Sequence, residues 1–304
     1  MRNHLIKKIL EFAKCDNRIM MMTGDLGFGV LDEFQSKFPN RFINVGIAEQ
    51  NMAAVASGLA LEGNMVFMYS IGNFSTLRCV EQIRNDICYH NANVKILSVG
   101  CGFSYGKLGM THHATENIAM MRSLPNMQIY APCDYISAEK IAEVICKNDN
   151  PCYIHLEKGG EDNLFQENSF IDVGKLQCLQ KGRKVAVLCL GTIASEALNA
   201  NKKLTSIMSV YAVLSIKPIN KKEILLLAKE NEYIITLEEQ NIYGGLGSAV
   251  AEILAEAGVS CKLIRMGLND EYTSIVGDQM YLRKVYGLNS ESIVRRVCKI
   301  MKEN

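Results

Sequence analysis

A single carboxylate, Glu49, lies where a predicted strand passes into a predicted helix. Residues 41–45 form a short, largely apolar run, Gly46 is a turn residue, and the small residues 53–60 favour a helix. Glu49 therefore falls in the first turn of that helix, where the helix dipole stabilises a negative charge by about 0.3–1 kcal/mol. Stabilisation of the helix is therefore a sufficient reason for a glutamate at this position, and a chemical role for Glu49 needs further evidence.

Two other loops carry polar side chains directly after predicted strands. Asp25 lies in a loop with three glycines after the apolar run 19–22, and His112 and His113 are adjacent in a glycine-rich loop after the apolar run 94–99. Ligands of open α/β sheets bind at the carboxyl ends of the strands, so both loops are candidate ligand-binding segments. Two adjacent histidines in such a loop are harder to explain by packing than a single one.

The elements that must position these residues alternate along the chain. Short apolar runs are followed by helical patterns throughout, which is typical of parallel strands joined by crossover helices. We therefore expect an α/β protein with two consecutive doubly wound, mostly parallel-sheet domains, at residues 1–160 and 184–304. Residues 161–183 are polar and irregular, and they predict an interdomain linker.

Composition narrows the classes of function. The 304 residues are 48% hydrophobic and 21% charged, which is typical of a globular protein with sizeable cores. The formal net charge is +1, so no global field favours nucleic acid or an anionic membrane. No run approaches about 18 apolar residues, and the charged start of the chain lacks the apolar block of a signal peptide.

The cysteines indicate the compartment. There are 11 of them, an odd number, with no Cys-x-x-Cys pair, and most lie within apolar periodic segments. This distribution favours reduced core residues over a disulfide framework or a zinc site. We expect a cytoplasmic protein.

Several motifs resemble the transketolase family of thiamine diphosphate enzymes. Residues 46–50, Gly-Ile-Ala-Glu-Gln, are similar to the signature of its pyrimidine-binding domain. Four further segments occur in the family's order: 70–85, 109–112, 124–134 and 238–248. The resemblance covers nearly the whole chain, and it implies a thiamine diphosphate pyrimidine-binding fold followed by a transketolase C-terminal domain.

The resemblance implies roles around the cofactor's aminopyrimidine ring. Glu49 is expected to be catalytic, because the family's glutamate holds N1′ of this ring and so promotes removal of the C2 proton of the thiazolium. Such a carboxyl group must share a proton near neutral pH, and apolar neighbours such as Ile47 suit that demand. Phe74 matches an aromatic position packed against the ring, while Ile71 and Leu77 stand where other members often carry aromatic rings.

The resemblance also implies a substrate site. His112 matches the histidine of the family's Gly-x-Thr-His segment, which faces the substrate, so it is expected to bond the donor's oxygen and to move protons. Family members that use sugar phosphates often clamp the phosphate with arginines. This chain has His155 and Lys158 at those positions. The further substrate-contacting candidates are His113, Arg78, His155 and Lys158.

The family's Gly-Asp-Gly motif for magnesium and diphosphate is missing. Thr23-Gly24-Asp25 is followed by Leu26, so we expect Asp25 to lie in a loop over the cofactor edge and predict no metal site in this chain. The resemblance therefore implies a split enzyme, in which an N-terminal subunit holds Mg²⁺ (or Ca²⁺) and the diphosphate. We expect an α2β2 heterotetramer with a two-fold interface and no nucleic-acid or membrane partner.

The implied activity is transfer of a two-carbon ketol unit from a ketose to an aldehyde or ketone acceptor, with sugars or sugar derivatives as substrates. The β subunit of a 2-oxo acid dehydrogenase E1 component is an alternative, because it shares the domain pair and the glutamate. The segments 111–113 and 124–126 favour transketolase over it, and deoxyxylulose-phosphate synthase is disfavoured because it is a longer chain with arginines missing here. A non-catalytic stabilising or regulatory subunit is a further alternative, suggested by the replaced aromatic and phosphate-binding positions.

Overall fold

The computed structural model describes residues 1–159 and 162–302. Six strands precede the gap, and they are β1 Ile19–Thr23, β2 Phe42–Asn44, β3 Met65–Ile71, β4 Val94–Val99, β5 Gln128–Tyr130 and β6 Cys152–Leu156. Six follow it, and they are β7 Leu176–Gln180, β8 Val185–Cys189, β9 Met208–Val213, β10 Ser215–Lys217, β11 Tyr233–Asn241 and β12 Lys262–Leu268. The predicted domain boundary between residues 160 and 161 lies outside the described residues.

The described residues form eleven α-helices. They are α1 Arg2–Ala13, α2 Asp32–Lys37, α3 Glu49–Leu61, α4 Val80–Gln82, α5 Asn117–Ser123, α6 Tyr135–Ile145, α7 Ala194–Lys203, α8 Lys221–Glu230, α9 Leu246–Ala257, α10 Gln279–Val285 and α11 Ser290–Lys302. Short 3-10 turns cover Pro39–Arg41, Leu77–Cys79, Gly106–Leu108 and Gly191–Ile193, and a π-helical turn covers Ile83–Cys88. No helix in the described part of the chain is long and apolar enough to cross a membrane.

The first sheet has seven strands in the order β10-β5-β6-β4-β3-β1-β2, all parallel except β10. Its inner strands β1 and β4 are mostly apolar and are buried along their whole length, as parallel strands between helices must be. In β1, Ile19 and Met21 belong to one hydrophobic cluster, whereas Met20 and Met22 belong to another. Helices therefore cover both faces, which confirms the predicted doubly wound α/β class.

The second sheet has the order β12-β11-β8-β9-β7, with parallel pairs except at β7. Strand β7 lies inside residues 161–183, so the prediction of an irregular linker is wrong for Leu176–Gln180. Two of its five residues are glutamines, and the strand is a half-exposed sheet edge, so the alternation of apolar and polar residues that marks a strand is missing. Strand β10 follows the second domain's β9 but pairs with β5, so it joins the two domains.

The cysteines lie mostly in the cores. All 11 are free thiols, and seven of them are buried. Burial raises the pKa of the Cys79 and Cys101 thiols to about 12, so they remain protonated and unreactive at neutral pH. The prediction of reduced core cysteines agrees with this placement.

Candidate functional site

The predicted cofactor residues meet at one edge of the first sheet. Strands β2, β1, β3 and β4 are neighbours and parallel, so the loops that follow them leave from the same edge. These loops carry Asp25, Phe74 and His112, and the loop after β2 leads directly into α3 and Glu49. The topology thus brings together segments that are far apart in sequence.

Glu49 is the first residue of α3, as the sequence predicted, and it is only 2% exposed. The chain reaches it through Gly46, whose φ of 72° lies in the left-handed region that favours glycine. Its Oε2 accepts a hydrogen bond of 2.8 Å from Nη1 of Arg78. Gly24 lies alongside, because a Cβ there would be 3.6 Å from Cγ of Glu49. The carboxylate is buried, paired with one cation, and enclosed by the loop after β1.

Arg78 connects Glu49 to the aromatic residues. Its guanidinium carbon lies 4.4 Å from the centroid of the Phe74 ring, which is a cation–π contact. The Phe74 ring in turn meets the ring of His112 edge-on, with 5.3 Å between centroids. Glu49, Arg78, Phe74 and His112 therefore form one contiguous series of contacts, which we call the Glu49–His112 row. It includes both predicted catalytic residues.

His112 is half-buried, and its Nδ1 lies 3.0 Å from Oγ1 of Thr111. Burial lowers the pKa of His112 below its usual value, and the neighbouring His113 lowers it further. The ring is therefore neutral at neutral pH, with one nitrogen able to donate a hydrogen bond and the other able to accept one. Tyr105 packs against the ring with 6.4 Å between centroids, and nothing in the sequence patterns singled it out.

Asn73 fixes the distance between the Phe74 and His112 loops. Its buried Nδ2 donates hydrogen bonds of 3.0 Å to the carbonyl oxygens of Thr111 and His113. No motif singled out Asn73, although an amide between Gly72 and Phe74 directly after a predicted strand was the available signal. Because this one buried amide holds both loops, it fixes the position of Phe74 relative to His112.

His113 has a different environment from His112. It is buried, with Nδ1 2.5 Å from Oγ1 of Thr273 and Nε2 2.9 Å from the carbonyl oxygen of Gly106. Gln240 of the second domain also donates to the carbonyl oxygen of Ala114. Both nitrogens of His113 are engaged, so the geometry favours a structural link between the domains over the predicted substrate contact.

The two residues predicted to replace the phosphate-binding arginines differ in exposure. His155 is buried in β6 beside Asn117, and burial lowers the pKa of this histidine to about 3, so it carries no charge at neutral pH. Lys158 is exposed, and its Nζ lies 5.4 Å from the centroid of the Tyr105 ring. Lys158 therefore adds an exposed positive charge next to the Glu49–His112 row, through Tyr105, whereas His155 does not.

The remaining predicted residues lie at the periphery. Ile47 and Leu77 are 78% and 48% exposed, so within this chain they do not shield Glu49, and Ile71 is half-buried. Asp25 is exposed, and its backbone N–H donates to Oδ1 of Asn44, which also accepts from the N–H of Gly46. Asn44 thus ties the Asp25 loop to the turn that precedes Glu49.

The Glu49–His112 row fits the pyrimidine half of thiamine diphosphate. The Arg78 guanidinium is flat and donates N–H bonds, and it reaches Glu49 while lying over Phe74. An aminopyrimidine that carries the shared proton at N1′ is likewise flat and donates an N–H from its ring edge, so the carboxylate and the aromatic face are placed to receive one. The described residues contain no group of three or more His, Cys, Asp and Glu side chains placed to hold a metal ion.

Two consecutive α/β domains with mostly parallel sheets are consistent with the pyrimidine-binding and C-terminal domains of a transketolase. Residues 1–160 match the family "Transketolase, pyrimidine binding domain", and residues 174–293 match "Transketolase, C-terminal domain". The chain belongs to the transketolase family, which implies dependence on thiamine diphosphate.

Similar proteins agree with this assignment. A transketolase C-terminal section from Methanocaldococcus jannaschii is 34% identical over 100% of this chain and 96% of its own length. One of the subunits of an apulose-4-phosphate transketolase from Actinobacillus succinogenes is 36% identical over 86% of this chain and 85% of its own length. A solved split-gene transketolase, described as an inactive β4 tetramer, has 33% identity and a TM-score of 0.89 over 98% of this chain and 97% of that one.

These similarities confirm the predicted family and place the chain with the C-terminal subunits of split transketolases. They support a transketolase-type function more strongly than the β subunit of a 2-oxo acid dehydrogenase.

Proposed function

We propose that this chain is the C-terminal subunit of a split transketolase. With an N-terminal subunit it transfers a two-carbon ketol unit from a ketose to an aldehyde or ketone acceptor. The observation that carries the proposal is the Glu49–His112 row, because it joins a buried carboxylate to a neutral histidine through one aromatic ring. Buried free thiols fit the reducing cytoplasm as its location.

Thiamine diphosphate, when bound, supplies the electron sink for breaking and making the carbon–carbon bond. Glu49 orients its aminopyrimidine ring by sharing a proton at N1′, and Phe74 packs against the ring. The Glu49 side chain is only 2% exposed, so little water reaches its carboxylate. A dry carboxylate interacts more strongly with a proton donor than a hydrated one does.

His112 is at the opposite end of the row from Glu49, and we assign it to the substrate. As a neutral imidazole it donates a hydrogen bond to a substrate oxygen from one nitrogen, or accepts a proton at the other. The Thr111 hydroxyl beside Nδ1 and the Phe74 edge hold the ring in one orientation. His112 thus moves protons at the oxygens of the transferred unit.

A partner subunit completes the site by covering the edge from which the loops leave. Five large apolar side chains on the loops after β1 to β4 are about half exposed or more, and they are Phe28, Ile47, Leu77, Leu108 and Met110. An apolar patch around a catalytic group marks a protein interface. We assign this patch to the N-terminal subunit, which also brings Mg²⁺ (or Ca²⁺) and the diphosphate contacts.

The assembly we expect is an α2β2 heterotetramer with a two-fold interface, since most oligomers have closed symmetry. The split-gene relative was solved as a tetramer of β chains that is inactive. An inactive assembly of β chains alone is consistent with an activity that needs the other subunit.

The substrates are sugars or sugar derivatives. Lys158, exposed beside Tyr105, is the cation best placed to bind an anionic group at the end of the substrate. His155, uncharged and buried, is not placed to bind the anion. The named substrate of the A. succinogenes relative, apulose-4-phosphate, carries such a group.

His112→Asn tests the proposal through the substrate side of the site. In a complex of this chain with an N-terminal transketolase subunit, thiamine diphosphate and Mg²⁺, we expect kcat/KM for ketol transfer to fall about 10- to 100-fold. This range corresponds to loss of one strong hydrogen bond worth about 1.5–3 kcal/mol. The assay follows consumption of a ketose donor from a panel, with His90→Asn as the control, because His90 is an exposed histidine outside the row. Unchanged kcat/KM in His112→Asn would contradict its assignment to the substrate.

A further inference from the structure

The Arg78 guanidinium makes two contacts that belong to different parts of the site. It donates from Nη1 to Oε2 of Glu49 at 2.8 Å, and it lies 4.4 Å from the centroid of the Phe74 ring. Glu49 is 2% exposed, whereas the Arg78 side chain is 44% exposed. A half-exposed side chain therefore covers a buried carboxylate and one face of an aromatic ring together.

These are the two groups that the proposed function gives to the aminopyrimidine of the cofactor. Guanidinium and aminopyrimidine are both flat, both stack on aromatic faces, and both present N–H donors at an edge. We propose that Arg78 occupies the pyrimidine position in the cofactor-free chain and moves aside when thiamine diphosphate binds. The inference rests on the proposed function, and it gives Arg78 a role other than the predicted substrate contact.

Local structure allows this movement. Arg78 lies in the short 3-10 turn Leu77–Cys79, which follows the loop after β3. Among the residues that the structure describes, Glu49 is the hydrogen-bond acceptor of its side chain, and Phe74 is its aromatic contact. The guanidinium can therefore leave by side-chain rotation, while the buried Cys79 next to it keeps the turn anchored.

Occupation of the pyrimidine position by Arg78 has a physical purpose. A buried carboxylate without a partner is costly, so pairing with Arg78 stabilises the chain before the cofactor arrives. The same pairing lowers the apparent affinity for the cofactor, because only molecules with Arg78 displaced can bind it. If the displaced state makes up about 10–30% of the population, the apparent Kd is about 3- to 10-fold higher than the intrinsic one.

The test compares wild type and Arg78→Met in complex with an N-terminal transketolase subunit, by calorimetry with thiamine diphosphate at saturating Mg²⁺. We expect Kd to be about 3- to 10-fold lower in the variant. Arg78→Lys keeps the charge but not the flat plane, so it is expected to lower Kd by a smaller factor. Arg84→Met is the matched control, because Arg84 lies in the π-helical turn after α4 and bonds to Asn85 instead of Glu49.

A second readout does not depend on the variants. In a structure of the cofactor-loaded wild-type complex, Nη1 of Arg78 is expected to lie more than about 4 Å from Oε2 of Glu49, beyond ion-pair distance. Retention of the contact together with a Kd that is unchanged or higher in Arg78→Met and Arg78→Lys overturns the inference alone. If the wild-type complex binds no thiamine diphosphate, the proposed function is wrong, and the inference is wrong with it.

Discussion

Replacing Glu49 by glutamine is expected to lower the turnover of ketol transfer by about 10²- to 10⁴-fold in the assembled complex. Glutamine has nearly the same shape, and its Oε1 can still accept the hydrogen bond that Arg78 donates to the native carboxylate. It cannot share a proton with the cofactor ring, so the variant removes the chemistry while keeping the packing at the start of α3. Turnover is measured at saturating thiamine diphosphate and Mg²⁺, so that weaker cofactor binding does not enter the comparison.

Glu62→Gln is the matched control, because Glu62 ends the same helix and is exposed. It is expected to leave turnover unchanged. Full activity of Glu49→Gln would remove the catalytic assignment and would favour the alternative in which this chain is a stabilising or regulatory subunit.

Replacing Arg283 by methionine is expected to lower the free energy of unfolding by about 3–5 kcal/mol. The Arg283 side chain is 4% exposed, and it pairs with Glu239 through Nε. Its Nη2 donates to Oγ1 of Thr192 at 2.7 Å and lies 3.6 Å from Oε2 of Glu157. Glu157 follows β6 of the first domain, whereas the other three residues belong to the second. The variant leaves two carboxylates buried between the domains without their cation, and denaturant unfolding measures the loss.

The loss is expected to depend on pH. Burial, and then the charge of Glu239, raises the pKa of Glu157 to about 7 from its ordinary 4.5. In the wild type, the contribution of Glu157 to stability is complete below about pH 4.5 and is lost as the pH rises through about 7. Arg283 offsets the negative charge that then develops, so the destabilisation by Arg283→Met should be larger near pH 8 than near pH 6.

Two further variants test the role of Arg283 between Glu157 and Glu239. Arg295→Met is the control, because Arg295 is exposed and bonds to the hydroxyl of Ser292. Adding Glu157→Gln and Glu239→Gln to Arg283→Met is expected to recover part of the lost stability, since neutral amides remove the uncompensated charge. Equal stability of Arg283→Met and wild type at both pH values would contradict the account.

Local patterns in the sequence were sufficient for much of the fold and for the centre of the site. The alternation of apolar runs and helical patterns predicted the α/β class, and the strand, Gly46 and small-residue helix placed Glu49 in the first turn of α3. Each of these features depends on residues close together in the chain. Phe74 and His112 were found through family motifs instead, and the structure places their rings in contact.

Long-range pairings could not be predicted in the same way. Strand β10 has three residues and joins the first sheet by pairing with β5, so its partner lies some 85 positions away, at residues 129 and 130 against 215 and 217. The Glu49–Arg78 ion pair likewise depends on two loops meeting at the sheet edge, and no spacing rule encodes it. The burial of His155 could have been predicted from the sequence, because the residues on either side of it in β6, Ile154 and Leu156, are apolar.

The most direct test of the central claim is thiamine diphosphate binding, with Mg²⁺, measured by calorimetry. The titration is made first on this chain alone and then on its complex with an N-terminal transketolase subunit. The described residues offer Glu49 and Phe74 for the pyrimidine, and the proposed function assigns the diphosphate and its metal ion to the partner.

We predict binding in the complex and none that is measurable on this chain alone. Tight binding to the isolated chain would contradict the split-site account, because a diphosphate site would then have to exist within these residues, with the Asp25 loop as the first place to look.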